Sequence, residues 1–166
     1  HAHDNHTDGH IWLDPLNAKR IVSSVTRHLM ELDSANGQLY KKNAARLIKR
    51  LNLLDSEIRL NLSFVRDKPY MVFHDGYQYF ESRYGLNATG AISIDPDRKP
   101  GAKRLSEIRQ SLQKGEAICI FREPQFSPKM VELVAQGTQV KIGVLDSQGA
   151  DLSPGPEMYF ELMRNL

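Results

Sequence analysis

Residues 70–94 read YMVFHDGYQYFESRYGLNATGAISI, and this stretch decides the fold. Tyr70–Phe73 is a short apolar run, which predicts a buried strand. Tyr77, Phe80 and Tyr84 then recur at spacings of three and four, the period of one helix face, and Gly85 follows as the residue that ends the helix. Ala88–Ile94 predicts a second strand. Strand, helix and strand in succession, joined by short loops, argue for parallel pairing.

The alternation continues downstream. Ala102–Lys114 predicts a helix ended by Gly115, and Ala117–Phe121 a third strand. Ser127-Pro128 opens a helix that stops near Gly137, Gln139–Leu145 is a fourth strand, and after a loop at Pro154 to Pro156 a last helix runs to about Leu166. The expected fold class is therefore α/β, a single lobe with a small parallel sheet flanked by helices.

Upstream, two helices are extra to that unit. Asp14-Pro15 is a helix start, because Asp caps and Pro suits the first helical position. Ile21, Val25, Leu29 and Leu32 follow on one face, and Asp33 to Gly37 reads as a turn. From Tyr40 to Val65 an apolar residue recurs every three or four positions. Lys41, Lys42, Arg46, Lys49, Arg50 and Arg59 occupy the opposite face, which reads as a solvated surface. This second helix is too long for a crossover and suits a strut.

Composition bounds the function. The chain has 166 residues, 40% hydrophobic and 25% charged, with 22 Lys plus Arg against 20 Asp plus Glu, which suits one domain with a real core or at most two small ones. The near-neutral balance argues against a nucleic-acid binder, and aromatics do not interleave with a basic stripe. No apolar run is long enough to span a membrane. One cysteine, Cys119, cannot close a disulfide within the chain, and between Ile118 and Ile120 it reads as a small core residue. There is no Gly-rich phosphate loop and no G-x-S-x-G elbow.

In open α/β sheets, ligands gather at the carboxyl ends of the strands. There the sequence places His74 after the first strand, Glu123 after the third and Asp146 after the fourth, while His10 precedes Ile11–Leu13. If the ends converge, two imidazoles and one or two carboxylates suit a borderline divalent ion such as zinc. Each residue also has a plainer reading. His74 could cap the following helix, and Asp146 could serve only its turn. Glu123 could be a buried structural carboxylate paired with Arg122 or another base. His28 reads as a helix-face residue. The opening HAHDNHTDGH, with His1, His3 and His6 among Asp and Asn, is expected to be mobile and to scavenge metal weakly. Its H-x-H-x-D-H likeness to metallo-β-lactamase-like hydrolases fails, because Asp stands at position 4 and Asn at position 5.

Five segments in order, GHIWLDPLNA (9–18), VFHDGYQYFESRYGL (72–86), SIDPDRKPGAKRLSEI (93–108), IFREPQFSPK (120–129) and LDSQGAD (145–151), resemble the metal-binding solute-binding proteins of ABC importers, most closely the zinc-uptake (ZnuA) type. The resemblance implies two α/β lobes joined by a long rigid helix, with the metal in the cleft. It implies that residues 1–10 are the remnant of a mobile His/Asp-rich loop, 11–34 the connecting helix and 35–166 the C-terminal lobe, with the N-terminal lobe and its own ligand preceding residue 1. It further implies a periplasmic, non-enzymatic protein that captures Zn2+ and delivers it to a membrane permease. His10, His74 and Asp146 would be the metal ligands, Glu123 a supporting or structural residue, and His1, His3 and His6 auxiliary weak sites. A manganese-type or adhesin-type relative of the same fold is the alternative, and a metal-dependent hydrolase a more distant one. Two departures stand out: LDSQG replaces the family's frequent LDPLG, and Cys119 matches the first cysteine of a family disulfide whose partner would fall beyond Leu166.

Overall fold

The computed structural model describes residues 8–93 and 100–166. The chain divides into two compact units, one ending at Ser63 and the other running from Phe64 to Leu166.

The first unit is a helical hairpin. Asp14 accepts the Leu16 backbone N–H at 2.8 Å and Pro15 takes the first helical position, so α1 (Pro15–Leu32) starts where the sequence predicts. A short 3-10 turn at Ser34–Asn36 leads into α2 (Gly37–Asn61), which packs along α1. Asp33 fastens the corner: its Oδ2 accepts from Asn36 Nδ2 at 2.8 Å and from the Tyr40 hydroxyl at 2.7 Å. Along the hairpin, Lys19 Nζ donates to Asn52 Oδ1 at 2.8 Å. The predicted second helix differs at both ends. It begins at Gly37 rather than near Tyr40, and it gives way after Asn61 to a 3-10 turn at Leu62–Phe64. Leu51, Leu54 and Ile58 of the predicted stripe are buried. The stripe on α1 is not: Ile21, Val25, Leu29 and Leu32 are all exposed.

The second unit is the α/β lobe. Its strands are β1 (Tyr70–His74), β2 (Ala88–Ser93), β3 (Cys119–Arg122) and β4 (Lys141–Val144). Among the described residues they form one sheet in the order β2-β1-β3-β4, and every pair is parallel. The predicted β3 and β4 stretches are longer at their starts than the observed strands, and the predicted Ile94 lies outside the described residues. Helices α3 (Gln78–Tyr84), α4 (Ala102–Gln113) and α5 (Lys129–Ala135) provide the connections, and α6 (Met158–Asn165) follows the last loop. Gly85 closes α3 in the left-handed conformation (φ 67°), as its place in the sequence predicts.

Alternation along β1 sorts its side chains. Met71 and Phe73 join Ile92, Ile108, Leu112, Ala117, Ile120, Val131 and Val134 in one apolar cluster, while Val72 points to the opposite sheet face. The topology gives the sheet one switch point. After β1 the chain steps to β2 at one side, then crosses back to β3 and β4 at the other. The direction of winding therefore reverses between β1 and β3, and in open α/β sheets ligands gather beyond the carboxyl ends at such a point. His74 ends β1, Glu123 directly follows β3, and Asp146 lies just past β4.

Candidate metal centre

His74 and Glu123 meet at that switch point. His74 Nδ1 lies 2.5 Å from Glu123 Oε1, and the same oxygen accepts the His74 backbone N–H at 3.3 Å. Both residues are buried, with 5% and 2% of their surface exposed. Phe126 stands edge-on to the imidazole with ring centroids 6.0 Å apart, and Tyr77 flanks it at 5.9 Å. A neutral imidazole that donates from Nδ1 to a carboxylate presents its lone pair at Nε2, with the ring held in place for an ion. Glu123 is therefore paired with His74 rather than with Arg122. His74 does not cap α3, whose first turn follows Tyr77 without a side-chain cap.

His10 repeats the arrangement locally. Its Nδ1 is 2.6 Å from Asp8 Oδ1, which also accepts the His10 backbone N–H at 3.0 Å, and Trp12 stands beside the ring at 5.1 Å. In each case one carboxylate oxygen clamps both the backbone and the ring of a histidine. The sequence reading did not single out Asp8. The D-x-H spacing was the signal, since a residue two positions back reaches both N–H groups.

Asp146 is the most heavily bonded of the candidates. Its Oδ1 accepts from Gln125 Nε2 at 2.5 Å, Gln148 N at 3.0 Å and Gly149 N at 2.9 Å, and its Oδ2 accepts from Ala150 N at 2.5 Å. Burial pushes this carboxyl's pKa up, but the donors from Gln148, Gln125, Gly149 and Ala150 outweigh it and hold the group below its ordinary range. Gly149 is required in this loop. Its φ is 75°, and a Cβ there would sit 2.8 Å from Met158 Cε.

Tyr77 connects the two halves of this edge. It is 2% exposed. Burial drives its phenol far above the usual range, with the Glu123 carboxylate and then Asp146 adding to the shift, while the Ser147 hydroxyl and backbone N–H pull the other way. Ser147 is itself fully buried. Tyr77 entered the sequence reading only as a helix-face residue, since nothing in the chain order shows its nearness to residues 123, 146 and 147.

The remaining candidates lie elsewhere. His1, His3 and His6 lie outside the described residues. His28 is exposed on α1, with Nδ1 2.8 Å from the Ser24 carbonyl, so it is the helix-face residue expected. Cys119 is a half-buried free thiol at the start of β3. Among the described residues, no three His, Cys, Asp or Glu side chains stand together as a ready metal cage. Among the same residues, no helix is long and apolar enough to cross a membrane.

The family described as ZnuA, zinc-uptake complex component A periplasmic, matches residues 1–166. The chain belongs to this family. Within the ZnuA family, the high-affinity zinc uptake system protein of Brucella abortus (strain 2308) is 44% identical over 159 residues, which are 96% of this chain and 48% of that protein. The corresponding Yersinia pestis protein is 37% identical over all of this chain and 55% of its own length. The chain thus spans about half the length of the curated relatives it matches. Among solved structures, a crystal structure of ZnuA superimposes with a TM-score of 0.82 at 27% identity, over 95% of this chain and 56% of that one. A mutant of the laminin-binding adhesin Lmb from Streptococcus agalactiae gives 0.85 at 26% identity, over 99% and 62%. The likeness to ZnuA structures accords with the parallel sheet flanked by helices.

Proposed function

We propose that this chain is the zinc-handling part of a periplasmic solute-binding protein that delivers Zn2+ to an ABC permease, and that it carries out no catalysis. In this reading residues 11–34 are the connecting helix and 35–166 the C-terminal lobe, completed in the whole protein by an N-terminal lobe. The observation that carries it is the clamp of Glu123 on His74 Nδ1, which leaves the lone pair of the other ring nitrogen available to a metal at the edge of the sheet where ligands gather in α/β folds. His10, held by Asp8 in the same way, is the second proposed ligand. Imidazole nitrogen suits zinc better than cations that want oxygen donors. Asp146 is the third proposed ligand. Three of its four hydrogen bonds fall on Oδ1 and one on Oδ2, so Oδ2 is the oxygen with a lone pair left for the ion. The His-rich segment with His1, His3 and His6 adds weak auxiliary binding.

The ligand nitrogens must be unprotonated, so zinc binding weakens as pH falls and protons compete for them. Calorimetric titration of the intact protein with Zn2+ tests the proposal. Tight binding that is lost in His74→Ala supports it, and binding that survives His74→Ala refutes it. The likeness to the laminin-binding adhesin favours one second reading, an adhesin-type or manganese-type relative. Stronger binding of Mn2+ than Zn2+ in direct competition would select that reading.

A further inference from the structure

We infer that the outer face of α2 is a docking surface for a membrane rich in anionic phospholipid: Leu39, Leu53 and Leu60 enter the bilayer interface while Lys42, Arg46 and Lys49 lie among the headgroups. The inference goes beyond the zinc reading and does not depend on it.

These six residues recur along α2 at spacings of three, four and seven, so they share one side of the helix. The other sides are taken. Leu51, Leu54 and Ile58 are buried. Ala44, Ala45 and Ile48 line the groove against α1, and Lys19 reaches Asn52 from α1. The outer row belongs to neither set. Its leucines are 53%, 63% and 67% exposed at positions 39, 53 and 60. A single exposed leucine needs no explanation, but three in one row form a patch that packing within the hairpin does not use. The three cations between them are exposed as well, and among the described residues no carboxylate pairs with any of them. Glu57 is the one carboxylate in the row. It is half-buried and engaged within the protein, as is Arg50 at the border of the row.

Charge and shape select the occupant. Cations without counter-charges, set between exposed leucines on one helix face, match a surface that is anionic outside and apolar just beneath. Long Lys and Arg stems let the charges rise to the headgroups while the leucines sit lower. At 1.5 Å per residue the row runs for about 31 Å along one helix. Such a ridge lies flat on a bilayer, whereas a protein partner would have to bring an acidic groove of the same length.

The test is co-sedimentation of the intact protein with vesicles of equal parts phosphatidylglycerol and phosphatidylcholine, and with vesicles of phosphatidylcholine alone. The native protein is expected to bind the anionic vesicles, and less so as salt is raised. Replacing the three cations together (Lys42→Gln, Arg46→Gln, Lys49→Gln) is expected to weaken that binding by about a hundredfold. The pair Leu53→Ser and Leu60→Ser is expected to weaken it by about tenfold. Zinc affinity is expected to be unchanged in both variants, since none of these residues is a proposed ligand. Far-UV circular dichroism checks folding, and the charge variant carries the comparison should the leucine variant fail to fold. Native protein that stays in the supernatant, or a folded charge variant that sediments like the native protein, overturns the inference. Native protein that ignores the vesicles but binds polyglutamate, and loses that binding in the charge variant, reassigns the face to an acidic protein and likewise overturns it.

Discussion

The imidazole of His74 rests on the carboxylate of Glu123, with Nδ1 2.5 Å from Oε1 and both groups buried at the carboxyl ends of β1 and β3. The pair joins residues 49 positions apart, and it is the point where the parallel topology becomes a ligand-binding geometry. Replacing Glu123 with Ala leaves a buried imidazole N–H without its acceptor. The expected cost is about 1–3 kcal/mol of stability by urea denaturation, with zinc affinity lowered by about 10–100-fold. Glu123→Gln keeps an acceptor oxygen and is expected to retain more of both.

The hydrogen bonds to Asp146 set an acid limit on its loop. Its folded-state pKa lies below the ordinary value, so the carboxylate stabilises the fold above the unfolded-state pKa of about 3.9. That contribution is lost as pH falls through the lower folded value. Amide exchange at Gln148, Gly149 and Ala150 is expected to stay slow at neutral pH and to accelerate only on acidification below the usual aspartate range. Asp146→Asn is expected to abolish that pH dependence, and hydrogen-exchange mass spectrometry or NMR reads it.

Two glycines with nearly the same backbone separate conformational strain from crowding. Gly85 (φ 67°) has nothing within 4 Å of where a Cβ would lie, whereas Gly149 (φ 75°) has Met158 Cε at 2.8 Å and Leu152 Cδ1 and Leu162 Cδ1 at 3.3 Å. Gly85→Ala is expected to cost about 1–2 kcal/mol from the left-handed backbone alone. Gly149→Ala is expected to cost more, because the α6 side chains must also shift. Thermal denaturation of the two variants side by side checks the order.

At the hairpin corner, the pKa of Asp33 is lowered first by the Asn36 side chain and then by the Tyr40 hydroxyl, against the opposing effect of burial. Tyr40→Phe is expected to raise the Asp33 pKa part of the way to normal, with Asn36 holding the remainder. An NMR titration of the Asp33 carboxyl measures it.

Much of this fold is legible in the chain order because its signals are local. Tyr70–Phe73 is apolar and bounded by Pro69, Gly85 marks the end of α3, and Asp14-Pro15 starts α1. The strand-end rule likewise picks out His74, Glu123 and Asp146. The bonds among these residues are not legible, because they depend on strand order. Glu123 reaches His74 only because β3 lies beside β1, and Gln125 reaches Asp146 only because β4 lies beside β3. The apolar period of α1 is legible too, yet Ile21, Val25 and Leu29 are exposed: periodicity reports a face suited to burial and does not name what covers it.

The most direct test of the central claim is a 15N NMR measurement of the His74 side chain in the intact protein, without and with one equivalent of Zn2+. Glu123 holding Nδ1 while Nε2 takes the metal predicts an Nδ1 that stays protonated in both states and an Nε2 resonance that moves on zinc addition. An Nε2 that ignores zinc, or an Nδ1 that loses its proton to the metal, would contradict it.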